Sequence, residues 1–196
     1  MEKEGIYLVG EASVPTDVIE DVESYFQKLG DVFHREIIVE RGPQNAIEWL
    51  IPTALFIFFA KSFLETLAKE MASDTYKLIK SGISSIWNKF FGQEPKYKYR
   101  KYIVGGRVQE DFEYSPAFSI YTELTDGTKV KFLYKQIWTQ EEFDEATDTF
   151  LYNMALFFSG KNSELMAILK EGAIWDRIIL LTLDDKTKKL KTIHTV

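Results

Sequence analysis

The sequence predicts an α+β fold. A mixed β-sheet, made from an N-terminal βαβ unit and two C-terminal hairpins, carries a hydrophobic helical hairpin inserted after the second strand. Three observations lead there. Over residues 6–39 a strand-like run, a helical stripe and a second strand-like run follow one another, the spacing of a parallel pair joined by a crossover helix. From Ala60 to Phe90 apolar residues recur every three or four positions, the period of a helix with one buried face. After residue 117 two alternating runs flank Asp126-Gly127, and a second apolar run at 177–183 returns through a polar turn. Helices grouped between runs of strands mark an α+β plan. A chain of 196 residues can close one substantial core, so residues 1–196 are read as a single domain with the helical insertion at about 43–92.

Ile6-Tyr7-Leu8-Val9, between Gly5 and Gly10, reads as a short buried strand. Pro15-Thr16-Asp17 opens a helix whose Val18, Ile19, Val22, Tyr25, Phe26 and Leu29 share one face, and Gly30 stands where a left-handed cap would end it. Residues 32–39, with Ile37-Ile38-Val39, form the second strand, parallel to the first, and Gly42-Pro43 stops it.

Residues 49–60 contain only Thr53 as a polar side chain. Twelve residues fall short of the roughly 20 that a membrane-spanning helix needs, so the segment is read as a core helix, begun or kinked at Pro52. It is apolar all round and needs cover on every side, from the sheet, from a partner or from lipid. The alternative reading releases it onto a bilayer, where Trp49, Leu55, Phe56, Phe58 and Phe59 would make the contact. The stripe that follows has Lys61, Glu65, Lys69, Lys77 and Lys80 on its wet face, and Ser62 and Ser73 mark internal helix starts. Two or three helices packed as a hairpin are expected, ending at Gly92 and Pro95.

Residues 96–104 alternate like a strand, and 107–116 read as a polar loop. Around Asp126-Gly127 a tight type I′ hairpin is expected. Phe118, Ile120, Leu124, Val130, Phe132 and Tyr134 share one side of it, and Lys129, Lys131 and Lys135 the other. Thr139 and Glu142 are spaced as a capping box for a helix that carries Phe143, Phe150, Leu151 and Met154 and ends at Gly160. A short helix at 164–170, the strand at 177–183, the Asp184-Asp185 turn and a final strand complete the order.

For function, the composition excludes more than it selects. A net charge of −6 opposes binding to nucleic acid or anionic lipid through bulk charge. The absence of cysteine removes disulfides, thiolate catalysis and zinc ribbons. The charged N-terminus lacks the form of a signal peptide, which with the missing cysteines gives a cytoplasmic reading. His34 and His194 have no second ligand at short spacing, so neither a metal site nor a cofactor is expected. No Gly-x-Ser-x-Gly elbow or phosphate-cradling loop is present. The Lys96 to Tyr102 stretch interleaves tyrosine with basic residues, as single-strand binders do, but reads better as an edge strand guarded by lysines.

What remains is acidity in two clusters: Glu110, Asp111 and Glu113 in the polar loop, and Glu141, Glu142, Asp144, Glu145 and Asp148 on the capped helix. Such patches steer a basic protein into contact. The expectation is a small non-enzymatic intracellular interaction protein, of the inhibitor or immunity type, that masks a basic protein partner. A catalytic site without a recognised motif in the loop 107–116 is the third reading, since convergent sites are defined by geometry.

Overall fold

The computed structural model describes residues 4–38, 53–69, 73–98, 101–103, 107–109, 113–170 and 177–193. Strand β1 (Ile6–Glu11) leads into helix α1 (Thr16–Phe26), and a short 3-10 segment then turns into strand β2 (Phe33–Ile38). β1 and β2 pair in parallel, with Ile6 opposite Phe33, so the βαβ unit forms. Gly30 takes the left-handed φ (72°) foreseen for it, but inside the 3-10 segment, four residues after α1 has ended.

The apolar block departs from expectation. Leu55–Phe59 is not a helix but a strand, β3. It lies inside the sheet, antiparallel to β1 on one side and parallel on the other to β6 (Tyr114–Glu123). The physical reason lies in Leu-Phe-Ile-Phe-Phe itself. A helix buries one stripe, whereas an interior strand buries both faces and accepts an apolar residue at every position. Leu55, Ile57 and Phe59 enter the main core, while Phe56 and Phe58 join Val9 and Tyr121 on the opposite face. Leu55, Phe56, Phe58 and Phe59 are therefore held in the sheet rather than on a releasable membrane-contact helix; Trp49 lies outside the described residues. No helix among the described residues is long and apolar enough to cross a membrane.

Two helices follow, α2 (Lys61–Lys69) and α3 (Asp74–Phe90), but they do not pack together as the expected hairpin: α2 packs on α4 (Gln140–Phe158), and α3 packs on α1 and α4. Ser73 caps α3 by accepting a hydrogen bond from the Tyr76 amide. Phe63, Leu64, Leu67, Ile79, Ile83, Ile86 and Phe90, members of the expected stripe, are all buried. Strands β4 (Lys101–Ile103) and β5 (Arg107–Gln109) form a separate antiparallel pair. Two expectations change here. The 107–116 segment contributes strand at both ends, and among the described residues of the 96–104 run 101–103 are strand and 96–98 are not.

β6 and β7 (Lys129–Lys135) make the predicted hairpin with a different turn. The Gly127 amide donates to the Leu124 carbonyl at 3.0 Å, and the Leu124 amide to the Thr128 carbonyl at 2.7 Å. Positive φ falls on Gly127 (81°) and not on Asp126. This is a three-residue loop with glycine in the left-handed position, not a two-residue type I′ turn. Asp126 instead accepts hydrogen bonds from the Thr128 amide and hydroxyl, which stabilises the longer loop. On the far side of β7, Lys131 is 1% exposed rather than wet.

Helix α4 (Gln140–Phe158) has the capping box, with both reciprocal hydrogen bonds present. Helix α5 (Glu164–Lys170) leads to β8 (Ile178–Leu183), parallel to β7, and β9 (Leu190–Thr192) closes the sheet antiparallel to β8. The strand order is β2-β1-β3-β6-β7-β8-β9. Each parallel pair has helices between its two strands in the chain, and all five helices contribute side chains to the one main core.

α1 and α3 approach closely at Gly82, where an added Cβ would lie 2.6 Å from Phe26 Cε1. Gly82→Ala should therefore destabilise the fold by about 1–3 kcal/mol through overpacking, although alanine is the better helix former by about 1 kcal/mol. Urea unfolding checks the sign; a more stable variant would mean that the two helices can separate without cost.

Candidate functional site

Two surface features meet at the N-terminal end of α4. The first is the turn between β7 and α4. Trp138 is buried and fixed from three directions. Its ring N–H donates to Asp185 Oδ1 at 2.9 Å, its carbonyl accepts from the Trp87 ring N–H at 3.1 Å, and its ring meets Tyr134 edge-on. Tyr134 in turn stacks on Phe143 of α4 at 4.2 Å and shares a 2.8 Å hydrogen bond with the Thr147 hydroxyl. Burial pushes the Tyr134 phenol upward, so it stays neutral. With Trp138 locked, its neighbour Ile137 is held outward, 85% exposed. A hydrophobic side chain displayed on a rigid turn is unlike one exposed on a loose loop, because little ordering entropy is lost when it is covered.

Two acidic residues are bonded to the same turn, Glu113 through its main chain and Asp185 through its carboxylate. The Gln136 amide donates to the Glu113 carbonyl at 3.2 Å, which places Glu113 beside the turn. Tyr114 lies opposite Lys135 in the sheet. Burial first, then a hydrogen bond with Glu113 and the negative charges of Glu113 and Asp185, push its phenol up to about 12. Burial works to raise the Asp185 carboxyl, but hydrogen bonds from Lys135 and Trp138 together outweigh it and hold the group below its ordinary range. Glu141 is exposed on the first turn of α4. Thus Glu113, from one predicted acidic cluster, is bonded to the turn that carries Ile137, and Glu141, from the other, is exposed on the helix that the turn leads into.

The second feature is an open groove of about 650 Å³, lined mainly by the outward residues of α3 and flanked by Asp21 and Tyr25 of α1 and Gln140 and Asp144 of α4. Its wall toward α1 is an ionic cluster. Lys89 pairs with Asp21 at 2.6 Å and with Asp17 at 3.5 Å, while Lys96 and the Tyr97 hydroxyl take the two oxygens of Asp17 at 2.6 and 2.7 Å. This is why 96–98 is not strand: adjacent residues of an extended strand point apart, whereas Lys96 and Tyr97 converge on one carboxylate. Lys80 is paired with Asp148, which also accepts from the Tyr76 hydroxyl at 2.8 Å.

The predicted acidic residues are therefore spread among roles. Glu110 and Asp111 lie outside the described residues. Glu142 is engaged in the capping box, Glu145 pairs with Lys188 at 2.9 Å, and Asp148 is tied to Lys80 and Tyr76. Glu113 and Glu141 face solvent, and Asp144 lines the groove. Ile137, Asp185 and the Asp17 cluster were not foreseen. Ile137 carried one sequence signal, a lone isoleucine between the predicted strand and the predicted N-cap. Asp17, Lys89 and Lys96 carried none, since their contacts span more than 70 positions. Among the described residues no three His, Asp or Glu side chains converge as a metal ion would require.

No protein-family model matches the chain, and comparison with curated proteins and with solved structures yields no significant match. The fold and the site stand on their own geometry.

The hydrogen bonds from Lys96 and Tyr97 hold the Asp17 carboxyl well below the usual carboxylate range against the opposing effect of burial, and the charges of Lys96 and Lys89 add to them. A depressed folded-state value stabilises the fold above the unfolded carboxylate's pKa of about 3.9, and that stability is lost as pH falls through the folded value. Asp17→Asn should therefore flatten the loss of stability below about pH 4. It should also release residues 92–98 from α1, so that trypsin cleaves faster at Lys96. Unchanged acid unfolding and cleavage would show that the cluster ties nothing down.

Proposed function

We propose that this chain is a non-enzymatic interaction protein that masks a basic protein partner, and that it docks through the surface centred on Ile137. One observation carries this reading: an isoleucine, 85% exposed, on a turn whose flanking residues Gln136 and Trp138 are bonded to Glu113 and Asp185. An apolar anchor inside a charged rim is the arrangement in which a few buried side chains supply affinity while the rim supplies rate and selectivity. Acidic rim residues would speed encounter with a cationic surface and make it sensitive to salt. An inhibitor or immunity-type role fits this arrangement, because masking needs a stable surface and no moving parts.

Affinity capture from source-cell lysate at low (~50 mM) and high (~500 mM) salt tests the proposal, since those conditions change the screening length several-fold. A basic protein should be recovered at low salt and largely lost at high salt. Ile137→Asp should cut its recovery at least ~10-fold, because covering one isoleucine is worth about 1.5–3 kcal/mol. Glu113→Lys should slow association more than it speeds dissociation. Recovery of no partner, or of one indifferent to salt and to both substitutions, would overturn the proposal.

A further inference from the structure

β2 ends the sheet order and pairs with β1 alone among the described strands, in a register that runs unbroken from Ile6–Phe33 to Glu11–Ile38. The main-chain N–H and C=O groups on its outer edge are a template for a further strand, and such edges are usually blunted by lysine, proline, a bulge or brevity. β2 has six residues with no lysine, proline or bulge, and its two charges, Arg35 and Glu36, are of opposite sign. His34, Arg35, Glu36 and Ile37 are all exposed. Of the four exposed large hydrophobics among the described residues, Val32 and Ile37 lie at this strand, 41% and 45% exposed. β9, at the far edge of the sheet, has only three residues.

We propose that the occupant of this edge is β2 of a second copy of the chain, antiparallel to the first across a two-fold axis at Arg35. Symmetry limits the register. A two-fold axis through an antiparallel pair keeps each sheet face on its own side, so odd-numbered residues face odd and even face even, and the residue on the axis faces itself. Centring on His34 sets Phe33 against Arg35 and Val32 against Glu36, and centring on Glu36 sets two glutamates together and Arg35 against Ile37. Centring on Arg35 sets Phe33 against Ile37 and His34 against Glu36, and each of these pairs occurs twice. The first joins an aromatic to a β-branched side chain, and the second brings an imidazole N–H to a carboxylate. The faces agree. Phe33 meets Phe26 of α1 at 5.6 Å and Arg35 bonds Glu23 of α1 at 3.2 Å, whereas His34 lies against Tyr7 at 4.7 Å on the other side of the sheet. Arg35 facing its own copy is the one like-charge contact, and each arginine brings its Glu23 with it, so the charges at the axis cancel. Pairing at β2 neither needs nor blocks the masking surface: β7, which leads to Ile137, lies four strand spacings away, roughly 19 Å at about 4.8 Å each, so the dimer presents that surface twice.

Sedimentation velocity from ~10 µM to ~1 mM should show a monomer–dimer equilibrium and no larger species, since a two-fold contact closes on itself. Ile37→Lys should weaken dimerisation at least about tenfold while keeping the unfolding midpoint of the dilute protein, because the side chain is exposed in the monomer. Disulfide trapping reads the register, free of background because the chain has no cysteine. His34→Cys and Glu36→Cys, mixed with one of them ¹⁵N-labelled, should cross-link to each other several-fold more than either does to itself. Residue 34 faces residue 36 of the other copy, while its own counterpart lies on the diagonal at about 7–8 Å, too far for an unstrained bridge. The mixed dimer also keeps one His34–Glu36 pair. A monomer at every concentration, association that Ile37→Lys leaves unchanged, or cross-linking no better between the two variants than within each would overturn the proposal.

Discussion

The structure depends on the burial of Leu55–Phe59 from both faces at once. Five consecutive apolar side chains cannot be half-wet, so β3 has to be an interior strand with neighbours on both edges and cover above and below. Each such side chain, fully buried, contributes about 1.5–3 kcal/mol. The main-chain groups of β3 are satisfied by β1 and β6, and buried hydroxyls complete the edges: Thr53 with Ser119 at 2.6 Å, and Thr122 donating to the Phe59 carbonyl at 2.8 Å. Once β3 is placed, β1 and β2 extend the sheet on one side and β6 to β9 on the other.

That arrangement mounts the surface where function is proposed. β6 sets β7, and the ring cluster of Phe118, Phe132, Tyr134, Phe143 and Phe150 locks α4 to β7. With both ends of the connecting turn fixed, Trp138 goes inward and Ile137 outward. The helices pack beside one another over the same core, so α3 runs between α1 and α4 and its polar side forms the groove. The fold thus surrounds an unusually apolar central strand with a mostly polar exterior, on which Ile137 is more exposed than the other exposed large hydrophobics of the described residues, Val32, Ile37 and Tyr152.

Much of this was legible in the sequence, and the exceptions have physical causes. The helix stripes at Ile79, Ile83 and Ile86 and the Thr139–Glu142 cap were readable because they depend on spacing within one element. The 55–59 block was misread as helix because a short run apolar at every position has no period to read, and its true partners, β1 and β6, lie far away in the chain. The need for cover on every side was readable; which structure supplied it was not. The Asp126-Gly127 turn differs from expectation because the Thr128 amide and hydroxyl engage the Asp126 side chain and favour the longer loop. The acidic helix looked like one patch in sequence. Helical periodicity instead sends Asp144 and Asp148 to the groove side, Glu145 to Lys188 and Glu142 back to its own cap.

Amide hydrogen exchange across residues 55–59 tests this account most directly. An interior strand bonded on both edges and buried on both faces should exchange only through global unfolding, with protection among the highest in the chain and unchanged by added lipid vesicles. Exchange at these amides while α4 stays protected, or protection that alters when vesicles are present, would contradict it.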